Sequence, residues 1–424
     1  MMRKILLAAL LAAMAAAAAG QTERTEVIRN TRKADGNYYM YPNGRHKVSP
    51  APRGYEPFYI THYGRHGSRY MMTDGEYRYV MKFMEQAARD NALTPLGLKT
   101  LKRLRKAQAD AHGREGELTP LGSRQHMGIA RRMYKNYPQV FAPGNTVDAR
   151  ATLIHRCQES MQYCCYMLKK CQPLLNIQQR SRREDYYFMK QSSDSVAHLA
   201  TSGQVKREAR AVVDSLRRRV NVSPRLFRNA GYLGENGGKD WQLAYYLHCI
   251  AIDMDCLPEL HLDFRPVFSK DQLWDSWQAR NASWAVAMGM FEGQTPYYKK
   301  IYGLVDNMIA WADEMIAQGK AGASLRFGHD SYVYPLAYVM GFNLIRTIPR
   351  NDQARAYRYV ADFQVVPMAS NIQWVFFRPK GQGDILVKFL LNEDEQQLPI
   401  PAYQGVFYRW NDVRAYLKNR MKTL

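Results

Sequence analysis

The sequence predicts an α/β protein, a core sheet flanked by helices and interrupted by a large, mostly helical insertion. Three observations predict it. β-Branched and aromatic runs alternate with helical stretches towards both ends of the chain. Residues 160–320 between them lack strand alternation and are rich in helix formers, Arg, Gln, Met and Trp. Apolar residues make up 46% of the chain, with charges of both signs throughout, which fits a packed globule and excludes a disordered basic tail.

The elements follow in order. Residues 1–20 open on MMRK, continue as an apolar stretch of 15 residues and end in small residues before GQTERTE, the pattern of a secretory signal peptide. That stretch is short for a membrane span and no later run is longer, so no transmembrane segment is expected in the mature chain. Export is therefore expected, to a periplasm or to the medium. Residues 21–56, polar with Gly, Pro and Tyr, read as an irregular arm. "EPFYITHY" (56–63) reads as a buried strand, followed by a helix over roughly 75–90.

"LTPLG" occurs twice, at 93–97 and 118–122, and in each copy Thr then Pro fits an N-cap followed by the first helical residue. Residues 145–154 read as a second strand running into the helix that begins "HRCQES". Residues 322–342 return to strand, glycine and helix. Segments 371–379 and 384–400 close the chain as strands, the latter a hairpin about 392–395. The expected organisation is an α/β core over 57–160 and 320–424, with a helical cap over 161–319.

Charge and cysteines bound the function. Formal charge is +22, or +20 without Arg3 and Lys4 of the leader, an excess that attracts polyanions. Ten Lys or Arg against three acids between positions 93 and 136 read first as the solvated face of two helices. Nucleic-acid binding would rest on net charge alone, since no nucleic-acid motif is present. Cys157, Cys164 and Cys171 recur every seven residues on one predicted helix face, too far apart to bridge each other. They read as packing residues, with one or two disulfides to the segment of Cys249 and Cys256 left open. No cluster has metal-ligand spacing, and no cofactor is expected.

The chemistry concentrates where predicted strands end. In open α/β sheets ligands bind beyond the carboxyl ends of strands. Three such ends carry polar clusters: Arg65-His66-Gly67-Ser68-Arg69, then His155-Arg156, then Gly328-His329-Asp330. Brought together, they would set three guanidiniums, imidazoles and a carboxylate around one point. Guanidinium is planar, permanently charged and bidentate, and so suits a phosphoryl group. The same cations disfavour a protonated His66, leaving a neutral imidazole able to attack phosphorus. Asp330 is the candidate general acid for the departing alkoxide.

"RHGSR" (65–69) resembles the RHGxR signature of the histidine acid phosphatases, and His329-Asp330 resembles their second motif. The resemblance implies a phosphoglycerate-mutase-like α/β core with a helical cap. Residue by residue it implies His66 as nucleophile, Arg65, Arg69, Arg156 and His329 as phosphate ligands, and Asp330 as proton donor. Residues 117–141 and "HRC" (155–157) look most like the multiple inositol-polyphosphate phosphatase branch. One departure stands out: that branch usually carries His-Ala-Glu at the second motif and bacterial phytases His-Asp-Thr-Asn, whereas this chain reads His329-Asp330-Ser331. The expected function is thus an exported phosphomonoesterase acting on an anionic phosphorylated small molecule such as phytate. The alternatives are a broad-specificity phosphatase and a non-catalytic polyanion-binding envelope protein.

Overall fold

The computed structural model describes residues 24–42, 44, 46, 48–189, 203–294 and 297–424. The predicted leader therefore lies outside the described residues. Eight strands form one mixed sheet. They are β1 (Tyr55–Arg65), β2 (Thr146–Ala151), β3 (Asn176–Arg180), β4 (Gly322–Gly328), β5 (Asn371–Pro379), β6 (Leu386–Leu391), β7 (Asp394–Gln396) and β8 (Tyr408–Arg409). The order is β3-β2-β4-β1-β5-β6-β7, with β8 also on β6. β3, β2, β4 and β1 run parallel, and β5 onwards is antiparallel.

Strand periodicity divides the side chains between two cores. Tyr59, Tyr63, Trp374, Phe376, Val387 and Phe389 face one. Ile60, Val375, Phe377, Leu325 and Leu390 face the other. Both faces are covered, which explains why these strands read as continuous apolar runs. Helices α3 (Pro120–Asn136) and α4 (His155–Cys171) cover the second face. Helices α8 (Tyr302–Ala317), α9 (Asp330–Met340) and α10 (Trp410–Thr423) cover the first, and α5 (Gln204–Arg218) joins the same core. A third core joins α1 (Gly75–Arg89), α2 (Pro95–Ala111), α6 (Asp240–Asp253) and the first half of α7 (Lys270–Ala287).

Several expectations need correction. β3 is a strand inside the segment read as helical; its polar sequence, NIQQR, hides it because it is a largely solvent-facing edge. α1 and α2 pack with the 220–277 region, whereas α8 packs on the sheet and α5 on α7. The final hairpin turns at Asn392-Glu393, both with positive φ (53° and 70°), and β7 already begins at Asp394. The 21–56 arm is more ordered than expected: it holds a helix at Arg24–Arg29 and a 3-10 stretch at Thr31–Tyr38 whose residues 34–37 are buried.

Both LTPLG copies start helices as read: Thr94 accepts from the Gly97 N–H at 3.0 Å and Thr119 from the Gly122 N–H at 3.3 Å. None of the six cysteines is in a disulfide, and Cys157, Cys164 and Cys165 are packing residues on the α4 side of the sheet. Among the described residues, no helix is long and apolar enough to cross a membrane.

Trp374 is fully buried against Phe389 and Trp410. Trp374→Ala should cost about 3–5 kcal/mol of stability, read as a lowered urea midpoint.

Candidate active site

Sheet topology creates the site. β1 pairs with β4 so that Arg65 stands opposite Gly328, and β4 pairs with β2 so that Ala151 stands opposite Phe327. The carboxyl ends of three adjacent parallel strands thus deliver the RHGSR loop, the start of α4 and the start of α9 to one place. The loop is fixed from several sides. The N–H of Arg65 donates to the Ser370 carbonyl at 2.7 Å and that of His66 to the Gly328 carbonyl at 3.0 Å. The Gly67 N–H donates to Ser160 Oγ on α4 at 3.1 Å, and the Ser68 N–H to Gln125 Oε1 on α3 at 2.8 Å. Gly67 has no room for a side chain, since a Cβ there would lie 2.6 Å from the Gly122 backbone.

His66 is buried, and its Nδ1 lies 2.9 Å from the Gly67 carbonyl oxygen. A carbonyl only accepts, so Nδ1 carries the proton and Nε2 keeps its lone pair. Burial first, then Arg65, Arg156, Arg69 and His329, hold the imidazole well below its usual pKa. The His66 and His329 rings meet edge to face with centroids 5.8 Å apart. The His329 ring lies 3.4 Å from Thr152 Oγ1 through Nε2.

The three arginines are held without being saturated. Arg65, fully buried, donates through Nη1 to the carbonyls of Val366 (2.7 Å) and Asn37, and pairs through Nη2 with Asp330 Oδ2 at 2.9 Å. Arg69 donates to the Tyr70 carbonyl at 2.7 Å and lies over the Tyr38 ring, 4.9 Å from its centroid. Arg156 reaches the Gly116 carbonyl at 3.5 Å. In all three the buried Nε–H has no hydrogen-bond partner among the described residues. Buried cationic donors without partners keep hydrogen-bonding capacity of the kind an oxyanion satisfies.

Asp330 opens α9, and its Oδ1 accepts from the Ser331 N–H at 2.8 Å. Burial works to raise its pKa, but the Arg65 guanidinium, with His329 and Arg69 behind it, outweighs this and holds the carboxyl below its usual range. All six residues singled out from the sequence, Arg65, His66, Arg69, Arg156, His329 and Asp330, therefore share one site. His62 is buried nearby, its pKa lowered to about 3 by burial and by His126, whereas His155 is exposed beside Glu159.

Sequence reasoning missed the arm's Asn37 and Tyr38 and the buried Lys300, whose pKa burial lowers to about 7 against the pull of Asp330. No motif marks these residues. Asp35, Gly36 and Asn37 lie in the segment read as an irregular arm, and only their tertiary contacts give them another role. Among the described residues, no group of three His, Cys, Asp or Glu side chains is placed to hold a metal ion.

The mixed sheet, the helical lobe and an RHGSR loop at the sheet's carboxyl edge define the fold of the histidine acid phosphatases. The chain is similar to the Bifidobacterium longum multiple inositol polyphosphate phosphatase solved with inositol hexasulfate, with a TM-score of 0.77 and 18% identity over 91% of this chain and 97% of that one. The apo form of that protein gives the same values. The phytase from D. castellii follows with a TM-score of 0.62 and 12% identity, covering 93% of this chain and 85% of that one. No protein-family model matches the chain, and no curated protein matches it by sequence. Identities this low carry the fold, and the chemistry has to be argued from the side chains.

If the orphaned arginine donors form an anion site, inorganic phosphate should raise the melting temperature, and Arg156→Ala should remove most of that rise. Differential scanning fluorimetry with and without 10-fold excess salt as an ionic control, chloride in place of phosphate, reads both effects.

Proposed function

We propose that this chain is a phosphomonoesterase working through a phosphohistidine at His66, with inositol polyphosphates such as phytate as its substrate class. The observation that carries the reading is a neutral, Nδ1-protonated His66 ringed by Arg65, Arg69 and Arg156 with unpartnered donors. The arginines and His329 would receive the phosphoryl oxygens, and His66 Nε2 would attack phosphorus as the ester P–O bond breaks. Asp330 would protonate the departing alkoxide, then take a proton from the water that attacks the phosphohistidine, releasing inorganic phosphate and restoring the neutral imidazole.

Proton donation requires Asp330 to leave its ionised resting form. A phosphate dianion beside Arg65 offsets the guanidinium's hold on the carboxylate and lifts the Asp330 pKa towards protonation. Binding and acid catalysis are thereby coupled, and turnover of alkyl phosphates should fall as pH rises above the value at which bound Asp330 ionises.

Preference for polyphosphorylated inositols rests on the formal charge of +22 and on the fold shared with the Bifidobacterium longum enzyme. Export is supported by the leader-like composition of residues 1–20. A broad-specificity phosphatase would share the same central site, and only relative rates separate the two.

His66→Ala should lower phosphate release by about 10⁴-fold or more while leaving the fold intact, and acid-labile, base-stable phosphate should be trapped on wild type alone. Phosphate release rates equal to wild type in that variant would end the covalent reading. At matched concentration kcat/KM for phytate should exceed that for p-nitrophenyl phosphate by about 10-fold or more, the scale of one or two added charge-assisted contacts; equality would favour the broad-specificity enzyme.

A further inference from the structure

The arm enters the site through one side chain. Asn37 Nδ2 donates to Asp330 Oδ2 at 3.3 Å, and its Oδ1 accepts from Arg280 Nη2 at 3.4 Å. Charge on both sides selects this orientation. The flipped amide would set its oxygen against a carboxylate and its N–H groups against a guanidinium.

The backbone at Asn37 is fixed independently of that contact. Its N–H donates to Asp362 Oδ2 at 3.1 Å and its carbonyl accepts from Arg65. Asp362 is itself held, accepting from Trp277 Nε1 at 2.9 Å. Gly36 has φ +60°, and a Cβ there would lie 2.6 Å from Asp362 Oδ2. One residue earlier, Asp35 is clamped by Arg265 at 2.6 Å. The arm is thus anchored without the Asn37 side chain, whose amide spans the gap between Arg280 and Asp330.

We propose that Asn37 is a positioning residue for Asp330, holding the carboxyl where it can protonate the departing alcohol; this rests on the reading of Asp330 as proton donor. A neutral amide suits the task. Arg65 binds the same Oδ2, but its charge favours the ionised carboxylate and so opposes protonation. The Oδ2 atom keeps a lone pair in both protonation states, so a neutral donor can hold the carboxyl through the whole cycle. Arg280, half-buried and 5.6 Å from the Tyr38 ring centroid, keeps the amide facing the right way.

The test separates positioning from mere stability by leaving group. An alkyl phosphate such as glycerol 2-phosphate departs as a basic alkoxide and depends on the acid, whereas p-nitrophenolate leaves with little help. In the full chain Asn37→Ala should lower kcat on glycerol 2-phosphate by about 10- to 100-fold, a fraction of what an acid catalyst supplies, with KM nearly unchanged. On p-nitrophenyl phosphate the loss should stay under about threefold by the same reasoning. In an Asp330→Asn background the selective loss should vanish, since the two residues act as one unit.

Equal losses on both substrates, or none, would overturn the positioning role while leaving the phosphatase reading intact. Wild-type chain that hydrolyses neither substrate nor phytate would overturn the phosphatase reading itself. Should Asn37→Ala not fold, as judged by circular dichroism, the same ratio of losses is read on Asn37→Ser and decides in the same way.

Discussion

The burial of one guanidinium organises this site. Arg65 is removed from water, and a buried cation is tolerated only with acceptors on every side or a charge beside it. Its acceptors come from three separated stretches: the carbonyl of Asn37, the carboxylate of Asp330, and the turn before β5, where Val366 accepts from the guanidinium and Ser370 from the backbone N–H. Arm, α9, the turn before β5 and the RHGSR loop therefore converge because this cation has to be satisfied. The convergence sets His66, the proposed nucleophile, and Asp330, the proposed acid, beside Arg65.

The charge arrangement is deliberately incomplete. Asp330 alone forms an ion pair with the central arginines, while the Nε–H groups of Arg65, Arg69 and Arg156 stay without partners among the described residues. Unpartnered buried donors of this kind cost stability, and in the proposed function an anion would relieve that cost. Burial and the same cations keep the His66 imidazole neutral.

How much of this was legible varied with the kind of signal. Strands buried on both faces announce themselves as apolar runs, so β1, β4 and β5 were readable. The Thr-Pro starts of α2 and α3 follow from local capping chemistry. The six residues at the strand ends were readable because a short motif and two strand-to-helix junctions mark them. β3 was not, since a polar edge strand gains its stability from pairing with β2 rather than from its own pattern. The packing partners of α1 and α2 were hidden too, because an amphipathic face states that it is buried but not against what. Asn37 was illegible for the same reason: a polar residue in a polar arm acquires its role only from Arg280 and Asp330.

Asn37 and Asp330 stand 293 positions apart and yet share a hydrogen bond. A ribosome must therefore release most of the polypeptide before the centre can close. The contact between the amino-terminal arm and α9 would thus arrive with the completed tertiary structure rather than ahead of it.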